Sequence, residues 1–355
     1  MLGERVAGKY EIRRLLGEGA MGAVYEVVHL ELGKRLAIKL IRPEFCESPE
    51  IAGRFRREAR AASAVESEYI AQIFDFGHDP ARGLYMVIEY LEGEDLESRL
   101  LRDRRLGDDE IRTIGIQAAR GLARAHAAGI VHRDLKPANI FLTQRDDRSV
   151  LTKIVDFGIS KFQSHYDDAR SEPPLTAFGT TLGTPQYMSP EQCTGRLGLD
   201  GRTDIWSLCA VLYEMAAGEP AIRCDGDQFA VMQRIVQQDV PALAQRAPWV
   251  SAELARVIDA GLARDRDARI GDATTLAERL LGAESRPVAR PLPPGSAYRF
   301  PPLDEDAASS LAEPQTKNAP SDASTRGDDE VEIFARTGPL HSELLALRRT
   351  KPTPK

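Results

Sequence analysis

The sequence has few cysteines, no long apolar run and no large excess of charge of one sign. Its four cysteines include no C-x-x-C pair, so the spacing typical of zinc sites is absent, and we expect reduced thiols in a cytoplasmic protein. Nowhere do about 18 apolar residues run together, and no basic and then apolar leader opens the chain, which disfavours membrane spanning and export. The net charge of −7 gives no reason to expect nucleic acid as the main partner.

The pattern of apolar residues changes along the chain. Residues 8 to about 90 alternate as strands do, with one helical interruption in which Phe55 and Ala59 recur at helical spacing. A long amphipathic helix is predicted from Asp108, which would cap it, to a stop at Gly129. Helical patterns then fill residues 189–281, and "TDIWSLCAVLYEMAAG" is apolar nearly all round. A small sheet-rich lobe is therefore followed by a larger helical one.

Residues 283–355 differ in composition from the rest. They hold 11 of the 22 prolines and many Ser, Asp and Glu residues, too few large apolar groups to offset the entropy of ordering, so we expect a mostly disordered tail. Within it, "RPVARPLPPG" and "SELLALRRT" could dock on a protein partner, although a plain linker is the commoner use of such segments.

The stretch "LGEGAMGAVYEVVHL" at residues 15–29 has glycines at the spacing G-x-G-x-x-G. This spacing lets a backbone approach a phosphate, and by itself it fits a dinucleotide site, an ATP site or an ordinary glycine-rich turn. Residues 23–29 are rich in β-branched and aromatic side chains and predict a strand, not the helix that a dinucleotide fold needs. The Lys and Ser or Thr of a Walker A loop are also missing, so a hairpin is expected.

Residues 130–158 carry the densest set of polar groups suited to chemistry. They predict a loop, a strand, a polar turn and a second strand that ends at Asp156. An antiparallel hairpin places the start of one strand beside the end of the other, so Asn139 and Asp156 should lie together and offer two oxygen ligands to Mg²⁺. Asp134 could accept a hydrogen bond from an incoming hydroxyl, and Lys136 could neutralise a transferring group.

Five motifs occur in fixed order: "GEGAMGAV", "LAIKL", "HRDLKPAN", "DFG" and "MSPE". From about Lys9 to Leu281 the chain resembles the eukaryotic-type (Hanks-type) serine/threonine protein kinases, most of all their bacterial members. The resemblance implies an α+β, bilobal protein kinase-like fold over residues 9–282. Its N-terminal antiparallel β lobe with one main helix would span about 9–90, and its mainly helical C-terminal lobe about 91–282.

The resemblance also implies an activity: transfer of the ATP γ-phosphate to Ser/Thr hydroxyls of protein substrates, in signal transduction. The implied cofactors are ATP and Mg²⁺, or Mn²⁺ in its place. A homodimer could serve autophosphorylation in trans. The alternative is a pseudokinase scaffold that binds nucleotide or a partner without turnover, but no catalytic position of the family is substituted.

The family's roles can be carried over to matching residues. Lys39 would contact the α and β phosphates and pair with Glu58, for which the alternative is a solvated helix charge. Asp134 matches the catalytic base or hydroxyl orienter, and Lys136 matches the phosphate-contacting lysine of the serine/threonine branch. Asn139 and Asp156 match the metal ligands.

The ATP pocket is implied by the glycine loop, two sheet positions and the segment "YMVIEYLEG". Adenine should meet the backbone around Glu89, Tyr90 and Leu91, with Ile88 at the gatekeeper position. The full set implied for ATP binding is Leu16, Gly17, Glu18, Gly19, Ala20, Met21, Gly22, Val24, Ala37, Lys39, Ile88, Glu89 and Leu91.

A loop between Asp156 and Glu191 carries several threonines. Thr176 is the first candidate for activating phosphorylation, and Thr180 and Thr181 are further candidates. A phosphate there could pair with Arg133 and Lys161, because an arginine beside a carboxylate suits a dianionic partner.

Two contacts are expected to be architectural. Glu191 should pair with Arg269, and Asp204 should brace the backbone of the loop that holds the HRD sequence. Cys209 stands where the family usually has glycine, and "GEPAI" replaces the usual "G-x-P-P-F"; these departures leave open the packing of the connection after the helix of Cys209 and the docking of substrate there.

Overall fold

The computed structural model describes residues 2–19, 22–42, 49–157, 185–223 and 228–282, with backbone alone at 49–52, 54 and 58. All of these belong to one compact unit. Ala20, Met21, Lys161, Thr176, Thr180, Thr181 and the tail from residue 283 lie outside the described residues.

The N-terminal part is a twisted antiparallel sheet with one helix. Its strands follow the spatial order β1-β2-β3-β4-β6-β5, and the helix α1, Pro49–Ser63, packs against β5. The strand bounds are Arg5–Val6 (β1), Tyr10–Gly19 (β2), Gly22–His29 (β3), Arg35–Ile41 (β4), Ile73–Asp79 (β5) and Gly83–Glu89 (β6).

The two faces of this sheet differ because side chains alternate along each strand. One face carries a hydrophobic cluster that includes Ile12, Val27 and Ile38. On the other face, Phe55 of α1 packs with Ile41 and neighbouring apolar side chains. Successive side chains of β4 therefore point to the two clusters in turn. Lys39 lies on the same face as Ile41.

The C-terminal part is mainly helical and contains a small antiparallel sheet of order β7-β8-β9. Those strands are Gly93–Asp95, Ile140–Gln144 and Val150–Ile154. The helices are Leu96–Asp103 (α2), Asp108–Ala127 (α3), Pro190–Cys193 (α4), Arg202–Ala217 (α5), Gln228–Gln237 (α6), Leu243–Arg246 (α7), Ala252–Gly261 (α8) and Ala273–Leu281 (α9).

Helix α5 lies at the centre of the helical lobe. Trp206 and Tyr213 are among the largest fully buried side chains, and the helix ends at Gly218, whose φ of 77° favours glycine. The predicted buried helix is thus confirmed, as is the α+β bilobal fold class.

The predicted cap of α3 was wrong. Gly107 is the N-cap residue and Asp108 is the first helical residue. The Asp108 carboxylate instead accepts a hydrogen bond from the Ser251 backbone N–H at 3.0 Å. The side chain therefore makes a tertiary contact and does not cap its own helix.

The lobes are connected by the segment between β6 and β7 and by a short backbone bridge. Ala71 N donates to Ile154 O at 2.9 Å, and Ile154 N donates to Tyr69 O at 2.8 Å. The loop before β5 is thereby fixed to the end of β9. None of the helices described above combines the length and apolarity that crossing a bilayer requires.

Candidate active site

The glycine-rich segment forms the end of the β2–β3 hairpin, as expected. Gly19 pairs with Gly22 across it, and Arg42 Nη2 donates to Gly19 O at 3.1 Å. A Cβ at Gly22 would lie 2.0 Å from Leu40 O, so the sheet itself requires glycine there. A Cβ at Gly17 or Gly19 would meet no described atom within 4 Å, so these two positions leave open space that a phosphate group could approach.

Two further side chains predicted for this loop, Leu16 and Glu18, are exposed. Glu18 Oε1 lies 3.3 Å from Arg42 Nη2. The hairpin end is thus tied to the end of β4 by one arginine that contacts both a backbone carbonyl and a side chain.

One face of β3, β4 and β6 gathers four of the predicted nucleotide-binding side chains. Val24 lies directly across from Lys39, and Ala37 lies directly across from Ile88. Ala37 and Lys39 are buried, and the Lys39 side chain is only 11% exposed. A buried ammonium needs an anionic partner to offset its desolvation.

That partner comes from the other lobe. Lys39 Nζ lies 2.8 Å from Asp156 Oδ1. Burial by itself would raise the pKa of Asp156, but the charge and hydrogen bond of Lys39, aided by the charge of Lys136, outweigh it and hold the pKa below its ordinary value. The carboxylate is therefore ionised at neutral pH. Glu58, the expected partner of Lys39, lies on α1, where its side chain is not described.

The loop before β8 orients a second carboxylate. Lys136 Nζ donates to Asp134 Oδ2 at 3.0 Å, and Asn139 Nδ2 donates to Asp134 O at 2.7 Å. Asn139 O accepts a hydrogen bond from Val155 N at 3.0 Å. Asp156 directly follows Val155, the residue that pairs with Asn139. The two oxygen donors come from adjacent ends of one hairpin.

Asp204 of α5 fixes the backbone of the loop that carries Asp134. Its fully buried carboxylate accepts hydrogen bonds from the N–H groups of His132 and Arg133, both at 2.8 Å. His126 Nε2 lies 2.8 Å from the same carboxylate. Arg133 has a φ of 67°, an unusual conformation for a non-glycine residue that these bonds stabilise.

No sequence pattern singled out His132, although it stands inside the HRD motif. Its buried ring contacts Val155 O through Nε2 at 3.0 Å, while Nδ1 accepts from Asp134 N at 3.2 Å. This is the pattern of the Nε2–H tautomer. The ring also packs edge-on against Phe157, with centroids 4.8 Å apart, so it connects the loop that carries Asp134 to the strand end that carries Asp156.

Glu191 and Arg269 form a bidentate ion pair in the helical lobe. The two Nη–Oε distances are 2.8 and 3.1 Å, and both side chains are buried. Burial alone would raise the pKa of Glu191, but the hydrogen bonds and charge of Arg269 lower it below the ordinary value. The adjacent Gln192 donates to Arg133 O at 2.7 Å, which connects this pair to the loop of Asp134.

Within the ranges given above, no three His, Cys, Asp and Glu side chains are grouped so as to hold a metal ion. Asn139 and Asp156 could therefore bind a hard cation only together with waters or phosphate oxygens. These oxygen donors fit Mg²⁺, and the phosphates of a bound nucleotide would supply further ligands.

A β lobe and a helical lobe that meet at a lysine–aspartate contact, beside a glycine hairpin and an Asp/Lys/Asn loop, define the protein kinase class of fold. The chain belongs to this family: the model of the protein kinase domain matches residues 10–281.

Bacterial serine/threonine-protein kinases are among the relatives that this chain resembles. Pkn1 of Myxococcus xanthus is 33% identical over 350 residues, which is 98% of this chain and 47% of that protein. PknA of Mycobacterium tuberculosis is 37% identical over 244 residues, which is 68% of this chain and 54% of that protein. The chain therefore spans about half the length of the curated relatives that it matches.

Solved structures show the same fold. The kinase domain of Mycobacterium tuberculosis PknI matches with a TM-score of 0.62 at 26% identity, covering 79% of this chain and 97% of that one. Rad53 1–466 in complex with AMP-PNP also matches with a TM-score of 0.62 at 26% identity, covering 77% of this chain and 65% of that one.

Proposed function

We propose that this protein is a serine/threonine kinase that transfers the γ-phosphate of ATP to hydroxyl groups of protein substrates. The observation that carries the proposal is the 2.8 Å contact of Lys39 with Asp156 across the two lobes. Asp134 precedes the β8–β9 hairpin that ends beside Asp156, and it is linked to that hairpin through His132 and Asn139. Phosphoryl transfer requires this alignment of charges and little covalent chemistry from the protein.

Each of these side chains has a defined task in the proposal. Asp134 accepts the proton of the incoming hydroxyl, and Lys136, which contacts the same carboxylate, stabilises the charge of the group in transfer. Lys39 and Glu58 position the α and β phosphates. Because Lys136 orients Asp134 through this contact, the acceptor hydroxyl meets a carboxylate that is held in place.

The metal and nucleotide sites are proposed from the same geometry. Asn139 and Asp156 hold Mg²⁺, with Mn²⁺ as a substitute, and bound Mg²⁺ supplies charge that the phosphates require. Gly17, Gly19 and Gly22 allow the hairpin to close over the phosphates. The adenine ring lies between Val24, Ala37 and Ile88, against the backbone of residues 89–91.

The experiment is transfer of radiolabel from γ-labelled ATP to casein, followed by phosphoamino acid analysis. Wild type should label serine and threonine, whereas Lys39→Met and Asp156→Asn should each lose activity by at least about 100-fold, the range expected when an electrostatic contact to the transferring group is lost. Asp146→Asn, in the exposed turn between β8 and β9, is the matched control and should behave as wild type. Equal labelling in wild type and Asp156→Asn would refute the proposal and favour a scaffold.

We further propose that phosphorylation of Thr176, Thr180 or Thr181 activates the enzyme. The support is Arg133, whose buried Nε has no hydrogen-bond acceptor among the described residues, so an anion could satisfy it. Lys161 would be a second partner of the phosphate. Intact mass and peptide mapping after incubation with ATP test this, and a fully active protein without phosphate on the loop would contradict it. A homodimer that autophosphorylates in trans and a tail that docks a partner are proposals that rest on the sequence alone.

A further inference from the structure

The segment between β6 and β7, residues 90–92, is the hinge between the lobes, and two arginines attach it to the β lobe. Arg14 Nη2 donates to the Tyr90 hydroxyl at 2.9 Å. The Arg35 guanidinium lies over the Tyr90 ring, 4.9 Å from its centroid, and pairs with Glu92 two residues further on. Both arginines therefore contact the hinge, and each does so from a different strand.

Arg14 is itself fixed by a buried carboxylate. Its Nε donates to Glu26 Oε2 at 2.8 Å, and the Glu26 side chain is only 2% exposed. The hydrogen bond to Glu26 raises the pKa of Arg14 above its ordinary value. A buried acid of this kind orients the guanidinium, since moving it away would leave the acid unpaired.

A bulge in β2 determines which face Arg14 occupies. Ile12 pairs with Val27 and Arg14 pairs with Glu26, so two steps along β2 match one step along β3. Without the extra residue, Arg14 would share the hydrophobic face of Ile12; with it, Arg14 lies on the opposite face. This is the face of Ala37 and Lys39, since Glu26 pairs with Ala37.

The Tyr90 side chain is half-buried and borders an open pocket. Tyr90, Arg35 and Glu92 line a cavity of about 440 Å³ beside the hinge. A side chain that borders open space keeps its rotamer through its polar and cation–π contacts. The two arginine contacts therefore restrain Tyr90 relative to β2 and β4.

We propose that Arg14 and Arg35 are positioning residues that hold the hinge backbone, through Tyr90, in the conformation that receives adenine. The inference rests on the proposed binding of ATP. Because Arg14 precedes the glycine loop on β2 and Arg35 precedes Lys39 on β4, the same strands set the adenine end and the phosphate end of the site. Preorganisation of this kind lowers the entropy lost on binding.

The test compares Tyr90→Phe with Tyr10→Phe in the full chain. Tyr90→Phe removes the hydroxyl that Arg14 contacts and keeps the ring under Arg35. Tyr10→Phe is the matched control, because it removes a hydroxyl that donates to Asp75 at 2.7 Å in the same lobe. The probes are adenosine and, separately, tripolyphosphate with Mg²⁺, measured by calorimetry, together with amide hydrogen exchange of residues 89–92 in nucleotide-free protein.

For Tyr90→Phe we expect adenosine to bind about 3- to 10-fold more weakly, the range for the loss of one typical hydrogen bond, because the hydroxyl acts on adenine only through the hinge. Tripolyphosphate affinity should not change, and the amides of residues 89–92 should exchange faster. In kinetics, KM for ATP should rise while kcat stays the same. Tyr10→Phe should show none of these changes. Arg14→Lys, which retains the charge beside Glu26, should weaken adenosine binding, and its effect should not add to that of Tyr90→Phe.

Two results would overturn the inference. One is unchanged hinge exchange or unchanged adenosine affinity in Tyr90→Phe. The other is an equal loss of adenosine affinity in Tyr10→Phe, which would indicate that removing either hydroxyl destabilises the β lobe as a whole. Failure of the proposed function is distinguishable, because it would appear as absent phosphoryl transfer in wild type, whatever the hinge exchange of the variants.

Discussion

Cys209 of α5 packs directly on the backbone of Gly261 in α8. A Cβ placed at Gly261 would lie 2.1 Å from Cys209 Sγ, so the absence of a side chain in α8 leaves the space that the thiol fills. Burial raises the pKa of Cys209 to about 12, and the thiol is therefore a packing group at neutral pH. This complementarity explains how the helical lobe accommodates cysteine at a position where the family usually has glycine.

The pair predicts a compensating double variant. Gly261→Ala should lower the free energy of unfolding by about 1 to 3 kcal/mol, because the added methyl group overlaps the thiol in a closed core. Cys209→Gly in the same chain should recover most of that loss. Urea unfolding monitored by Trp fluorescence measures both, and a Gly261→Ala protein as stable as wild type would contradict the packing described here.

Alanine substitutions at Gly22 and Gly19 should have different effects, the first on stability and the second on nucleotide binding. Gly22→Ala should lower the Tm, since its methyl group would overlap Leu40 O and disturb the β3–β4 pairing. Gly19→Ala meets no described atom, so its Tm should match wild type while its KM for ATP rises. Calorimetric Tm and steady-state kinetics on both variants check this. The prediction fails if the two substitutions have the same effect on Tm.

The buried pair of Glu191 and Arg269 should matter for stability and for its pH dependence. Arg269→Met would leave Glu191 unpaired and buried, at a cost of about 3 to 5 kcal/mol. The pKa of Glu191 is lowered in the folded state from an ordinary value of 4.5, so its stabilisation is present above that value and is lost as the pH falls through the folded-state pKa. The double variant Glu191→Leu with Arg269→Met should therefore lose less stability than wild type between neutral pH and about pH 3. Equal acid sensitivity of the two proteins, measured by urea unfolding at each pH, would exclude this contribution.

Asp204→Asn should loosen the loop that carries Asp134. An asparagine oriented to accept from one backbone N–H would present its own N–H₂ to the other, and a buried donor without an acceptor costs about 1 to 3 kcal/mol. Amide exchange of residues 130–136 should accelerate, and kcat should fall more than the affinity for nucleotide. Ser207→Ala, which removes a buried hydroxyl of the same helix that bonds Tyr187 O and Thr203 O, is the control. A loop that exchanges as slowly in Asp204→Asn as in the control would show that Asp204 does not hold it.

The sequence by itself determined the fold class, the family and the local elements. The change from alternating to helical periodicity located the two lobes, the five motifs identified the family, and the G-x-G-x-x-G spacing followed by β-branched residues predicted the hairpin that is present. These features depend on near neighbours in the chain, and side-chain alternation and glycine geometry act over that range. The capping prediction for α3 was wrong because the Asp108 carboxylate accepts a hydrogen bond from a backbone N–H far along the chain, and a local pattern does not encode such a contact.

Only the tertiary structure decided which distant groups meet. The contact of Lys39 with Asp156, the hydrogen bond of His132 to Val155 O, the fit of Cys209 to Gly261 and the two arginines at Tyr90 all join residues far apart in the chain, and no spacing encodes them. The bulge in β2 shows why: one extra residue transfers Arg14 from the core face to the cleft face, a change that periodicity alone cannot register. Such contacts are set by strand register and by the packing of whole elements, which exist only once the chain has folded.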